Sequence, residues 1–320
     1  MGIHKKTSVK KNFIYNIVLQ VAILIVPFIT TPYVSRVLGA DNIGKYSFSS
    51  AMVTYFTLIA TLGTSTYGQR KIAFYRDDTE LLSCAFWNTF VFRCIMSSIS
   101  LILYTGYMII FDRVNALNII VACNIFDVAI GVTWFFQGME EFKKITLRSL
   151  CVRLILLTGI FVFIKNDNDL WKYAMIMMAA SVFGNLIMWI SIPKYIKKVK
   201  QIHPFDGFKE IWLVFLPTIA TQIYTILDKS MIGIITKSDY ANGCYEQSER
   251  IVRLAITVVT SVGTVILPRV ANLYHNHNLE EAKRYVYLAF RVVWMISMPI
   301  MLGLIAISSV FIPLFLGDGF

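Results

Sequence analysis

Apolar residues occur along this chain in long uninterrupted runs. Residues 12–35, 46–69 and 292–316 contain no charged side chain at all. A helix that crosses a hydrocarbon layer of ~30 Å needs ~20 mostly apolar residues, and each run meets that length. A helix of a water-soluble bundle would instead carry one apolar stripe and a charged outer face. The pattern therefore predicts helices that are surrounded by lipid.

The same rule predicts six more membrane spans. They lie near residues 85–111, 115–136, 149–164, 173–193, 210–235 and 250–271. Composition supports this interpretation, because 57% of the residues are hydrophobic and only 15% are charged. We therefore predict an all-α, polytopic membrane protein with about nine transmembrane helices.

Positive charge alternates from loop to loop. The N-terminus and the loops near 70–76, 143–148, 194–209 and 269–284 hold 18 Lys and Arg, whereas the intervening loops hold 7. The positive-inside rule makes the first set cytoplasmic, so we expect a cytoplasmic N-terminus and a chain that ends outside a bacterial plasma (inner) membrane. This distribution accounts for the net charge of +11 without a nucleic-acid partner.

Sequence motifs for enzymatic chemistry are missing. The chain has no Walker-type phosphate loop, no C-x-x-C and no H-E-x-x-H, so we predict no cofactor, no resident metal and no catalytic residue. His275 and His277 are interpreted as loop histidines, because two imidazoles without a third ligand make a poor metal site.

Charged residues inside the predicted spans are the most informative ones. A charge at the centre of a span costs roughly 2.5–3.5 kcal/mol, so each must snorkel, pair with another helix or line a wet cavity. We favour snorkelling for Arg250 and a structural partner for Asp127, whereas for Lys229, Arg253 and Arg153 a cavity role competes mainly with structural pairing. Asp228 and Lys229 are ~100° apart on a helix and should find separate partners. The remaining intramembrane charges are Arg93, Arg153 and Arg253.

Two predicted outer loops resemble each other. The stretches VLGADNIGKYSFS and IITKSDYANGCYEQS each follow a span that runs outward, and they lie about 199 residues apart. This spacing suggests a parallel six-helix repeat. We expect residues 1–200 to form an N-terminal lobe and residues 201–320 to form three helices of a second lobe, within a longer protein. The matched residues are Asp41, Gly44 and Tyr46 with Asp239, Gly243 and Tyr245.

Several stretches resemble the polysaccharide flippases of the multidrug/oligosaccharidyl-lipid/polysaccharide exporter superfamily, over essentially the whole chain. They include SRVLGADNIGKYSFS (35–49), YGQRKIAFYRDD (67–78) and DVAIGVTWFFQGMEEFKKITLRS (127–149). The third is the most specific and contains Asp127, Trp134, Gly138 and Arg148. The seventh span is similar through Gln222, Asp228, Lys229 and Gly233.

The resemblance implies a transporter, not an enzyme, that moves an undecaprenyl-pyrophosphate-linked oligosaccharide from the inner to the outer leaflet. Its partners would be the lipid bilayer and, for chain assembly, a polysaccharide polymerase and a chain-length regulator. A diphosphate cannot cross hydrocarbon unaided, so we expect a wet and positive passage that works by alternating access. The residues expected to line it are Arg153, Lys229 and Arg253, followed by Arg250, Arg93 and Gln222.

The sequence leaves several functions open. Asp127 or Asp228 would carry a proton or sodium linkage if an ion gradient drives transport, and Trp134 and Tyr224 are candidates for stacking on sugars. A multidrug or cation antiporter of the same superfamily would favour an acidic cavity. A flippase for the peptidoglycan precursor is also compatible with the pattern of spans. A membrane glycosyltransferase or polymerase would need catalytic carboxylates or a large outer loop.

Overall fold

The computed structural model describes residues 9–275 and 278–320, with side chains from Ile25 onward except at ten positions between 258 and 275. The prediction for the His275 and His277 pair lies outside the described side chains. The described residues form ten α-helices: α1 (Val9–Thr61), α2 (Thr64–Tyr75), α3 (Thr79–Ile110), α4 (Ala116–Ile130), α5 (Thr133–Gly138), α6 (Phe142–Phe163), α7 (Leu170–Trp189), α8 (Phe208–Thr236), α9 (Asp239–His275) and α10 (Leu279–Leu316). The all-α prediction is confirmed.

Six segments within the described residues are long and apolar enough to cross a membrane. They are Thr79–Ile110, Ala116–Gly138, Phe142–Phe163, Asp167–Lys194, Phe208–Thr236 and Leu279–Leu316. These contain six of the predicted spans, so the chain is a multi-pass membrane protein. The predicted spans 12–35, 46–69 and 250–271 lie in α1, in α1–α2 and in α9, which are not among the six. A total of nine therefore stays a prediction.

Local polar residues set where these helices begin and change direction. Gly39 has φ +74° and ψ 169°, which divides α1 into segments 9–38 and 40–61. A glycine adopts this conformation without the steric cost that a Cβ brings. Asp78 accepts hydrogen bonds from the backbone N–H groups of Glu80 (2.9 Å) and Leu81 (3.1 Å), and Asn115 does the same for Asn118 (2.8 Å). These are N-caps, so α3 and α4 begin where the apolar runs begin.

An aromatic core packs α2, α3 and α5 together. Trp134 is only 2% exposed, stacks 5.6 Å from the ring of Phe86 and donates its Nε1–H to the carbonyl of Gly131 at 3.0 Å. A Cβ on Gly68 would lie 2.5 Å from the Trp134 ring. Trp134, a candidate for stacking on sugars, is not available for that role, because its ring is already enclosed by protein. The motif residues Gly68 and Trp134 instead hold one end of the bundle together.

Helix α1 contacts helices of both predicted lobes. It packs against α3, α4 and α6, and also against α8 and α9. Helix α2 contacts α8 as well, and Phe92 on α3 packs with Ile211 and Phe215 on α8. The polar residues of interest lie in both groups of helices.

Candidate functional site

A polar cavity of about 200 Å³ opens where α1, α8 and α9 meet. Two of the residues on its wall, Lys229 and Arg253, are charged residues that the sequence places inside predicted spans, and Gln222 lies beside them. The wall is formed by Tyr46, Ser47, Ser50, Ala51, Thr54, Gln222, Thr225, Ile226, Lys229, Glu246 and Arg253. Ligand sites for drug-sized molecules usually measure ~300–1,000 Å³, so this cavity fits one small polar group rather than an oligosaccharide.

Lys229 is held by two carboxylates from α9. Its Nζ lies 2.5 Å from Glu246 Oε2 and 2.9 Å from Glu249 Oε2, and its side chain is only 18% exposed. Asp228, its sequence neighbour, instead accepts a hydrogen bond from the Tyr245 hydroxyl at 2.7 Å. The two charges therefore have separate partners, as their angular separation requires.

Two arginines on α9 complete this ion-pair cluster, which consists of Lys229, Glu246, Glu249, Arg250 and Arg253. Arg250 Nη2 lies 3.2 Å from Glu246 Oε1, and Arg253 donates from Nε to Glu249 Oε1 at 2.8 Å. The Arg250 side chain is only 27% exposed. It thus pairs inside the protein, and the prediction that it snorkels is wrong.

The two glutamates change the charge balance expected from the sequence. Three cations face two carboxylates in the cluster, so its net charge is one positive unit rather than three. Glu246 and Glu249 lie just before the predicted span 250–271, so they were assigned to an outer loop and not to the intramembrane charges. The spacing of these glutamates from the two arginines could have indicated that they lie on a helix. Glu246 with Arg250 and Glu249 with Arg253 are i,i+4 pairs with the acid first, which is typical of a helix.

A second polar cluster lies around Asp127. Its carboxylate accepts hydrogen bonds from Ser181 (2.7 Å) and Asn185 (2.8 Å), and Asn185 in turn accepts one from Arg148 (2.9 Å). These bonds join α4, α6 and α7. Asp127 has the helix-to-helix partners that we favoured for it, and it does not lie on the wall of the cavity.

Arg93 and Arg153 are also away from that wall. Arg93 on α3 is 6% exposed, and Asp127 interacts with it electrostatically. Its Nε and Nη1 have no hydrogen-bond partner among the described residues. Arg153 is half-buried on α6, and its Nε likewise has no partner among them. The structure thus brings together Gln222, Lys229, Arg250 and Arg253, whereas Arg93, Arg153 and Asp127 lie away from them on α3, α6 and α4.

Comparison with known families gives a match over most of the chain. Residues 9–274 match the family described as "Polysaccharide biosynthesis protein". The chain belongs to this family. The match includes α1, α8 and nearly all of α9, and therefore every residue of the cavity wall.

Curated relatives share modest identity with the chain. A protein from Escherichia coli named "Putative O-antigen transporter" is 26% identical over 72% of this chain and 57% of its own length. A protein of the same name from Shigella dysenteriae is 23% identical over 82% of this chain and 68% of its own length. The alignment thus spans little more than half of the first relative.

A solved structure shows the same fold. The MATE multidrug transporter DinF-BH superposes on 92% of this chain and 72% of its own chain, with a TM-score of 0.55 and 14% identity. At this identity the likeness concerns the fold alone. The chain therefore has a MATE-like, all-helical membrane fold and belongs to a polysaccharide biosynthesis family.

Proposed function

We propose that this protein moves an undecaprenyl-pyrophosphate-linked oligosaccharide from the inner to the outer leaflet of a bacterial inner membrane, for assembly of O-antigen, capsule or another surface polysaccharide. The observation that supports this most directly is the position of Lys229 and Arg253 on one polar cavity between α1, α8 and α9. Family membership and the name of the Escherichia coli relative support the substrate class.

The chemistry of the cavity suits a diphosphate. Ammonium and guanidinium groups form short, charge-assisted hydrogen bonds with phosphate oxygens. Arg253 has a side chain that is 56% exposed, so one face of its guanidinium is available to a ligand while the other is bonded to Glu249. Gln222 adds an uncharged amide that would bind a sugar hydroxyl. The polyprenyl tail would stay in the lipid, because an apolar chain needs no polar partner there.

Transport by alternating access requires that the passage open first to one side and then to the other. The loop charges support a cytoplasmic N-terminus, which places the Gly39 break and the junction of α8 with α9 at the outer face. Asp228 is the favoured position for an ion linkage, because it is exposed and has one hydrogen bond, whereas Asp127 is held by two.

Export in a flippase-deficient strain tests this function. We expect Lys229→Ala and Arg253→Ala to abolish surface polysaccharide and to accumulate lipid-linked repeat units on the cytoplasmic side. Lys283→Ala is the matched control, since this lysine is 66% exposed and pairs with Glu280 on the surface of α10. Normal export by both cavity variants would remove these residues from the site.

A cation or drug antiporter is the second candidate function. The carboxylates Glu246 and Glu249 favour it, because they offset two of the three positive charges of the ion-pair cluster. The same strain distinguishes the two. Restored surface polysaccharide supports the flippase, whereas drug resistance without polysaccharide supports the antiporter.

A further inference from the structure

Helices α1 and α9 cross at two glycines with almost no space between them. A Cβ on Gly44 would lie 1.7 Å from the carbonyl oxygen of Asp239, and a Cβ on Gly243 would lie 1.9 Å from the carbonyl oxygen of Ala40. Only glycine fits at both positions, because the two backbones approach too closely to leave room for a Cβ. Small residues four apart on a membrane helix permit this kind of contact, and Ala40 and Gly44 form such a pair on α1.

The crossing is reciprocal. Each glycine faces the carbonyl of the residue four positions before the other glycine, so the two helices use the same positions to touch. Gly44 and Gly243 are themselves a matched pair in the two similar stretches of the sequence. Both stretches were predicted to be outer loops, but Gly44 lies within helix α1 and Gly243 in the first turns of α9. One turn further along both helices, Ser47 donates a hydrogen bond to Glu246 Oε2 at 2.9 Å. The contact thus relates corresponding parts of the two predicted lobes.

Glu246 connects the crossing to the cavity. It accepts from Ser47 on α1, and it also pairs with Lys229 on α8 and with Arg250 on its own helix. Lys229 and Glu246 both line the cavity, which begins at Tyr46 and continues along α1 to Thr54. The glycine crossing therefore closes the end of the cavity that lies toward the α8–α9 junction.

Two buried amide side chains beside the crossing lack some of their hydrogen-bond partners among the described residues. Asn242 and Gln247 flank the crossing on α9 and are fully buried. Asn242 donates to the carbonyl of Gly44 at a long 3.4 Å, while its Oδ1 has no partner among the described residues. Both polar side-chain atoms of Gln247 also lack a partner there. Buried polar groups without partners destabilise the state that buries them, so separation of the helices and entry of water would relieve this cost.

From these contacts we infer that the Gly44–Gly243 crossing is the outer closure of the passage and that Glu246 latches it to the Lys229 site. This inference rests on the proposed transport function. In the closed arrangement the outer end is sealed by backbone contact and by one carboxylate shared between the lobes. A ligand that takes over Lys229 removes one of the bonds that hold Glu246 in place, and the crossing then parts toward the outside.

Thiol labelling from outside intact cells tests the closure without depending on the substrate. The full chain would carry Thr54→Cys on the cavity wall as its one cysteine, with Cys84, Cys94, Cys123, Cys151 and Cys244 replaced by serine. A membrane-impermeant maleimide is the probe. We expect Gly44→Ala and Gly243→Ala to raise the labelling rate about ten-fold or more, because the rate follows the population of the open state.

Gly106→Ala on α3 is the matched control, since a Cβ there meets nothing within 4 Å, and its labelling should equal that of the parent. Glu246→Gln keeps the shape of the side chain that latches the crossing but removes its charge. We expect it to raise the labelling rate less than the glycine variants do. Unchanged labelling in both glycine variants would overturn the closure. If neither glycine variant reaches the membrane, unchanged labelling in Glu246→Gln overturns the proposal instead. If labelling rises but the protein does not export polysaccharide, the proposed closure is supported and only the proposed substrate is refuted.

Discussion

A double-mutant cycle on Lys229 and Glu246 measures what the ion-pair cluster contributes. Lys229→Met leaves each glutamate with an arginine, since Glu246 keeps Arg250 and Glu249 keeps Arg253. The four remaining charges balance. The variant loses charge-assisted hydrogen bonds but no longer buries an ammonium group, so we expect a loss of about 2 kcal/mol in the free energy of unfolding.

Glu246→Ala should cost more, although it also removes one charged residue. It leaves three cations around the single carboxylate of Glu249, and breaking a buried pair from one side typically costs about 3–5 kcal/mol. The double variant returns to the parent's net charge of one positive unit. We therefore expect it to be less destabilised than the sum of the single variants, with a coupling energy of about 1–3 kcal/mol.

Reversible unfolding by a denaturing detergent, followed by tryptophan fluorescence, would give these free energies. The surface pair Lys283 and Glu280 provides a control cycle, with an expected coupling of about 0–1 kcal/mol. Equal losses for Lys229→Met and Glu246→Ala, or strict additivity in the double variant, would refute this account of the cluster. If the double variant recovers stability but not export, then Lys229 has a role in transport beyond its structural pairing.

Single substitutions at Arg253, Gly68 and Asp228 separate stability from transport. Arg253→Ala should change the free energy of unfolding by only about 0.3–0.5 kcal/mol, because the arginine of this i,i+4 pair is 56% exposed and Glu249 keeps its pair with Lys229, yet it should abolish export; a large loss of stability would contradict this. Gly68→Ala should destabilise the fold by about 1–3 kcal/mol through overpacking against Trp134, whereas Gly106→Ala should not, as thermal unfolding would show. Asp228→Asn should alter the pH or sodium dependence of export at an unchanged protein level, and identical profiles would discard its role in ion coupling.

The sequence predicted the helical class and the positions of six spans because long apolar runs have few other uses in a membrane protein. It also indicated that Asp228 and Lys229 have different partners, since helix geometry alone forbids their pairing. The partners themselves were not predictable. Glu246 lies 17 residues after Lys229 on another helix, and only the packing of α8 against α9 brings the two together.

Two residues were misinterpreted because their surroundings are tertiary. Trp134 looked available for sugar stacking, but its ring is enclosed by Phe86 and Gly68 from helices far away in sequence. Arg250 looked close enough to an interface to snorkel, but it pairs with Glu246 one turn away and its side chain is only 27% exposed. In each case the residue type indicated which interactions the side chain can make, but the sequence did not show which neighbours it faces.

The charge balance of the ion-pair cluster bears on how an anion could both enter and leave. A cavity with three unpaired cations would bind a diphosphate tightly and release it slowly. In this protein Glu246 and Glu249 already pair with Lys229 and the two arginines, so a phosphate of the proposed substrate would have to compete with carboxylates that are tethered to the site. Binding would then exchange one set of ion pairs for another, and the displaced carboxylates would favour release of the ligand. Because Glu246 also accepts a hydrogen bond from Ser47 on α1, the same exchange would weaken the contact between α1 and α9 at the moment when the proposed passage opens.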